Sequence, residues 1–269
     1  MWTWTEIQTW GKNAEDNYIT PTGSWIRIGP GVIIGPGVEI GPGVRIGPGV
    51  EIGRGVEIGP GVTISQGVTI GEYVTISQRV TIGEYVTIGE GVRISQRVTI
   101  GPYVTISRGV EIGEDMTIGP RVIISPGVEI GPGVEISQGV TIGPYVIIGP
   151  YVIIGPYVII GEGVRISQRV TIGPYVTIGP HVTIEKNPLY IIGSRHIFYY
   201  AGDDKIRIGC YIYPFAWWIK NGRDLAQKED YTADQLEEYK SYLELAANLL
   251  KWEIPAGNLK GGRNELETA

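Results

Sequence analysis

The sequence predicts an all-β solenoid, a parallel β-helix of about nine triangular coils with a small α-helical C-terminal cap. Three observations predict it. Isoleucine falls at every sixth position from Ile28 to Ile184 without a missed step. Valine follows four residues after each isoleucine but the last, with Met116 as the sole replacement. Between them the chain alternates apolar and polar side chains and then bends.

The alternation sets which side chains share a face. In Val38, Glu39, Ile40, Gly41 the apolar positions recur with the period of a strand that has one dry and one wet face, so valine and isoleucine point inward. The following dipeptides, Pro-Gly, Pro-Tyr, Glu-Tyr or Gln-Arg, preset or tolerate a bend. Each hexad is therefore a short strand plus a corner, and three corners close a triangle. Stacked at roughly 4.8 Å, such coils form a prism about 40 Å long.

A stack of coils leaves two open ends that need covering. Residues 1–27, with Trp2, Trp4, Ile7, Trp10 and Trp25, suit an N-terminal cap for the β-helix of residues 28–184. In residues 185–252 three apolar runs, Leu189 to Ile192, Ile197 to Tyr200 and Ile206 to Tyr213, predict irregular strands extending the last coils. A helix is expected within Pro214 to Lys228. Thr232 and Gln235 form a capping box that opens a second one. Leu236, Tyr239, Leu243, Ala246 and Leu250 give that helix its buried stripe, with Glu237, Glu238, Lys240 and Glu244 on its other side. Residues 253–269, with Pro255, Gly261 and Gly262, are expected to form a flexible tail.

The units Ile-Gly-Pro-Gly-Val-Glu and Ile-Ser-Gln-Arg-Val-Thr resemble the hexapeptide repeat of the left-handed parallel β-helix superfamily, over residues 28 to 184. The resemblance implies a left-handed coil, an exception to the usual crossover rule. That superfamily includes bacterial acyltransferases and γ-class carbonic anhydrases, many of them trimers, so the resemblance suggests functions without choosing one. The hexads lie close enough to consensus to suit an idealised or designed block, or a recently amplified one.

Composition narrows the partners. A net charge of −6 offers no basic stripe, so no nucleic-acid binding is expected. No apolar run approaches a membrane span, and Met1 to Trp10 has neither a basic nor an apolar signal region, so no membrane association and a cytoplasmic location are expected. Cys210 is the single cysteine, so no intrachain disulfide forms. Only two histidines are present, fewer than the three of a γ-carbonic anhydrase zinc site, and no metal or other cofactor is expected.

On the outside of the prism, Ile147, Ile153 and Ile159 put isoleucine on all three faces of one coil, with Tyr145, Tyr151 and Tyr157 at its corners. So contiguous an apolar belt predicts a covering partner, by self-association into a homo-oligomer such as a trimer or by the chain's own helices. Repeat drift toward β-branched residues is the plainer account. Columns of outward threonine invite an ice-binding reading, yet the neighbouring outward position is Gly or Ser, so the array is half built.

Acyltransferases of this superfamily use a histidine as general base, beside a loop projecting from the coils, and no loop is inserted between Ile28 and Ile184. His181 occupies an ordinary corner. His196 lies where the repeat fails, in Gly193-Ser194-Arg195-His196, where Arg195 suits an anion anchor, His196 a base and Cys210 a lining residue. The segment also suits a mere junction. The sequence therefore predicts a non-catalytic rigid scaffold or self-assembly module, with an acyltransferase-like site at the C-terminal junction as the alternative.

Overall fold

The computed structural model describes residues 1–185, 189–202 and 204–250. It comprises two compact units, Met1–Asn187 and Pro188–Ala269. The tail predicted over 253–269 lies outside the described residues.

In the first unit, two-residue strands recur every six residues from Ile33–Ile34 to Thr183–Ile184. Each but the last three pairs in parallel with the strand one coil further on, as Thr69 with Thr87 and Ile70 with Ile88. The strands collect into three sheets of nine or ten, one for each side of the prism. From Val38 to Ile178 every inward Val, Ile and Met is buried, none more than 8% exposed. Burial weakens at the last coil, where Val182 is 41% exposed.

The N-terminal segment closes sheet edges by running against them. Trp2–Thr3 pairs antiparallel with Glu39–Ile40, and Tyr18–Ile19 pairs antiparallel with Trp25–Ile26. Between them lies α1 (Trp4–Ile7), which starts in a Thr3/Glu6 capping box and buries Ile7 completely. Trp2 packs edge-on against Trp10, and Trp4 edge-on against Tyr18.

The corners carry a feature that turn chemistry alone does not predict. The residue before each inward valine adopts a left-handed conformation, at Gly109 (φ 65°) but equally at Tyr145 (56°), Arg97 (58°) and His181 (59°). A side chain there is strained by roughly 1–2 kcal/mol. At several corners packing offsets it, because the side chain lies back over the preceding coil. The Tyr145 ring covers Gly127 so closely that a Cβ on that glycine would come within 2.8 Å of it, and Tyr157 covers Gly139 likewise at 2.6 Å. Where tyrosines follow one another they stack, Tyr85 on Tyr103 at 5.5 Å and Tyr157 on Tyr175 at 5.3 Å.

One corner column is polar instead. Arg97 donates to both carboxylate oxygens of Asp115, at 2.5 and 2.7 Å, and to Glu114 at 3.1 Å, while Gln78 donates to Gln96 and Gln96 to Glu114. The Arg97 hydrogen bonds hold the Asp115 carboxyl below the usual range. The charged groups are well exposed, so their ion pairs contribute little stability.

The second unit departs from the expectation for its strands. Tyr190–Ile192, Ile197–Gly202, Lys205–Ile208 and Tyr211–Pro214 form a separate four-stranded antiparallel sheet and do not extend the coils. The third apolar run splits at Gly209-Cys210, a two-residue hairpin loop with Gly209 at φ 59°. Alternation then puts Phe198, Ile206 and Ile208 on the face that packs with α2 (Phe215–Lys228) and α3 (Ala233–Leu250). Thr232 and Gln235 cap α3 reciprocally, as their spacing predicts. The buried stripe of α3 includes Tyr239, Leu243 and Ala246, joined by Ala247.

Candidate functional site

The turn Gly193 to His196 is clamped onto α3 by backbone and side-chain bonds together. The Tyr239 hydroxyl donates to the His196 carbonyl at 2.6 Å and accepts from the backbone N–H groups of His196 and Arg195. Glu238 accepts from the Ser194 backbone N–H at 2.8 Å, from the Ser194 hydroxyl, and from the Tyr242 hydroxyl at 2.6 Å. The Ser194 hydroxyl first, then Tyr242, holds the Glu238 carboxyl below the usual glutamate range.

Two glycines let this turn form. A Cβ on Gly193 would lie 2.4 Å from the Tyr239 hydroxyl oxygen, so no larger residue fits there as the turn is built. A Cβ on Gly209 would lie 3.0 Å from Cγ of His196, which places the imidazole flat across that hairpin loop.

His196 lines a cavity of about 240 Å³ between the sheet and the two helices. Its walls are largely apolar, with Trp218, Ile219, Leu236 and Leu243, and its rim carries Arg223, Glu229, Glu237 and Lys240. The imidazole is half-buried, 5.8 Å from the Tyr231 ring, and neither ring nitrogen has a hydrogen-bond partner among the described residues. Burial first, and then the neighbouring Tyr239, pushes the Tyr231 phenol up to about 12, so Tyr231 is a neutral hydroxyl at physiological pH.

The other sequence candidates divide. Arg195 lies over the Tyr231 ring at 4.8 Å and donates to the Asp230 carbonyl at 2.9 Å. It braces the aromatic wall and does not line the cavity. Cys210 is exposed in the hairpin loop, also outside the lining. His181 is an exposed corner whose ring covers Gly163. Among the described residues no group of three or more His, Cys, Asp or Glu is placed to hold a metal ion, and no helix is long and apolar enough to cross a membrane.

The belt stands as the columns predict, one isoleucine on each sheet. Ile153 and Ile159 are 43% and 50% exposed, Ile147 is half-buried, and Tyr145, Tyr151 and Tyr157 are exposed at the corners.

Sequence reasoning missed the cavity because its makers carried other signals. Tyr239 reads as a stripe residue of α3 and Glu238 as its wet side, whereas both fasten the His196 turn. Gly193, which ends an apolar run just before the histidine, and Gly209, which interrupts a later one, were the available clue.

The molecule is thus of the hexapeptide β-helix class, with a separate C-terminal unit holding a histidine-lined cavity. The pattern of the family described as bacterial transferase hexapeptide (six repeats) matches seven overlapping segments: residues 31–66, 49–84, 63–96, 79–114, 109–144, 133–168 and 154–186. Since the matches run over more than half of the 269 residues, the chain belongs to that family, and its fold is a left-handed parallel β-helix. Among solved structures it is similar to the UDP-N-acetylglucosamine O-acyltransferase of Moraxella catarrhalis (17% identity, TM-score 0.47, covering 85% of this chain and 92% of that one). It is also similar to the UDP-N-acetylglucosamine acyltransferase of Campylobacter jejuni (18%, TM-score 0.41, 87% and 90%). The GDP-perosamine N-acetyl transferase of Caulobacter crescentus matches over 45% of this chain and 49% of that one, at 22% identity and TM-score 0.32. No curated protein matches the chain.

Proposed function

We propose that this protein is a group-transfer enzyme of acyltransferase type, with its chemistry at His196. Membership of a transferase family supports the class. The observation that carries the site is the unpartnered His196 imidazole, held by two backbone clamps against an apolar cavity. As general base it takes the proton from an acceptor hydroxyl or amine while that heteroatom bonds to the acyl carbon of a thioester. The carbon–sulfur bond breaks, and the thiolate leaves with the proton that the imidazolium returns. Arg195 serves the chemistry by fixing Tyr231, not by binding an anion.

Release of free thiol from acyl-coenzyme A, measured on the full-length chain against a panel of alcohols and amines, tests this reading. His196→Ala is expected to lower turnover by about 100-fold or more, the usual worth of a positioned base. Unchanged thiol release in that variant, or none from the parent chain, would reject it.

The exposed belt favours a second reading, a self-associating scaffold. Ile147, Ile153 and Ile159 lie on three different faces, so a three-fold axis along one edge of the prism covers only part of the ring. Light scattering that gives a single-chain mass at all concentrations would eliminate self-association.

A further inference from the structure

The same cavity has a shape and charge that transfer chemistry alone does not require. Gly222 sits in the interior of α2, where glycine is disfavoured relative to alanine. A Cβ there would meet Cε3 of Trp218 at 3.2 Å, so the glycine keeps space open beside the indole. That indole is fixed, its Nε1 donating to the Ile206 carbonyl at 2.7 Å. Ile219, Leu236 and Leu243 complete an apolar wall. An apolar cavity of about 150 Å³ holds a benzene molecule. The 240 Å³ here leaves room for one ring and a short chain.

The rim decides the head group. Arg223 and Lys240 are balanced by Glu229 and Glu237, with Lys240 3.1 Å from Glu237, so the mouth favours neither an anion nor a cation. The Glu229 carboxylate already accepts from the Tyr211 hydroxyl at 2.7 Å. The His196 imidazole offers the polar contact that a neutral hydroxyl, both donor and acceptor, can use.

We infer that the cavity binds a small neutral aromatic alcohol, its ring against Trp218 and its hydroxyl toward His196. This rests on the transferase reading only in making that alcohol the acceptor. Calorimetric titration of the full-length chain with 2-phenylethanol is the test. Saturable one-to-one binding with Kd of about 0.1–1 mM is expected for a ligand of this size. Phenylacetate and phenethylammonium are expected to bind at least about tenfold more weakly, each bringing an uncompensated charge to the neutral mouth. Gly222→Leu and, one turn further along, Ala226→Leu both fill the space and are expected to weaken binding at least about tenfold while the helical signal persists.

Absence of saturable binding, binding that both leucine variants leave unmoved, or equal binding of the two ions would overturn the inference. Thiol release with other acceptors but no binding of phenylethanol sinks this inference and spares the transferase reading. Phenylethanol binding without thiol release under any acceptor does the reverse.

Discussion

Aspartate at position 106 is expected to unfold the β-helix, whereas aspartate at position 105 leaves it almost unchanged. The two sites are adjacent and belong to one strand, so local propensity and sheet membership are the same for both. Only the face differs. Ile106 is 1% exposed, with Ile88 directly below and Ile124 above it, while Thr105 points to water between Thr87 and Ile123. Loss of the buried side chain alone costs about 2–5 kcal/mol, and an unpaired carboxyl in that column adds its own burial penalty, for a total above about 5 kcal/mol. The exposed substitution has no acidic neighbour in its column and stays within about 0.5 kcal/mol. Chemical denaturation followed by circular dichroism reads the difference. Native-state hydrogen exchange should show the damage spreading to adjoining coils, because each coil finds its hydrogen-bond partners in its neighbours. Equal stability of the two variants would mean that the inward assignment is wrong.

That contrast also explains why one half of the molecule was readable in advance. A strand of period two inside a repeat of six leaves valine and isoleucine only one face, so the three outward columns follow by counting. Glu129 stacks on Glu111, and Ile147 on Glu129. Strain at the corners was not readable. Tyrosine is an ordinary residue in a list of bends, and its left-handed backbone is offset by its ring packing over a glycine or another tyrosine one coil away. The His196 turn was less readable still, because its fastenings join residues 43 or 44 apart in the chain. Contacts of that separation leave no periodic trace. The histidine itself stood out because it falls just where the period ends.

Gly193→Ala is expected to be the most damaging single methyl group in the C-terminal unit. The added carbon would lie 2.4 Å from the Tyr239 hydroxyl oxygen and 2.7 Å from the His196 carbonyl oxygen, closer than any real contact. Tyr239 cannot swing aside, being only 5% exposed within the core that includes Leu243 and Phe198. The turn must lift instead. Lifting breaks the hydrogen bonds that the hydroxyl makes to the His196 carbonyl and N–H, at about 0.5–1.5 kcal/mol each, and leaves a buried hydroxyl unsatisfied for about 1–3 more. A loss of about 3–5 kcal/mol follows, confined to the unit that holds α2 and α3. Melting followed through tryptophan fluorescence and far-ultraviolet dichroism should show that unit's transition fall while the β-strand signal persists. The source of the damage can be isolated by a cycle with Tyr239→Phe, which alone costs about 1–3 kcal/mol through the lost hydrogen bonds. Once the hydroxyl oxygen is gone, the alanine methyl has lost its nearest obstacle, and the same bonds cannot be broken twice. The double variant should therefore be less damaged than the sum of the two by about 1 kcal/mol or more. Strict additivity would show that the methyl acts elsewhere, and that Tyr239 is not what holds His196 against its cavity.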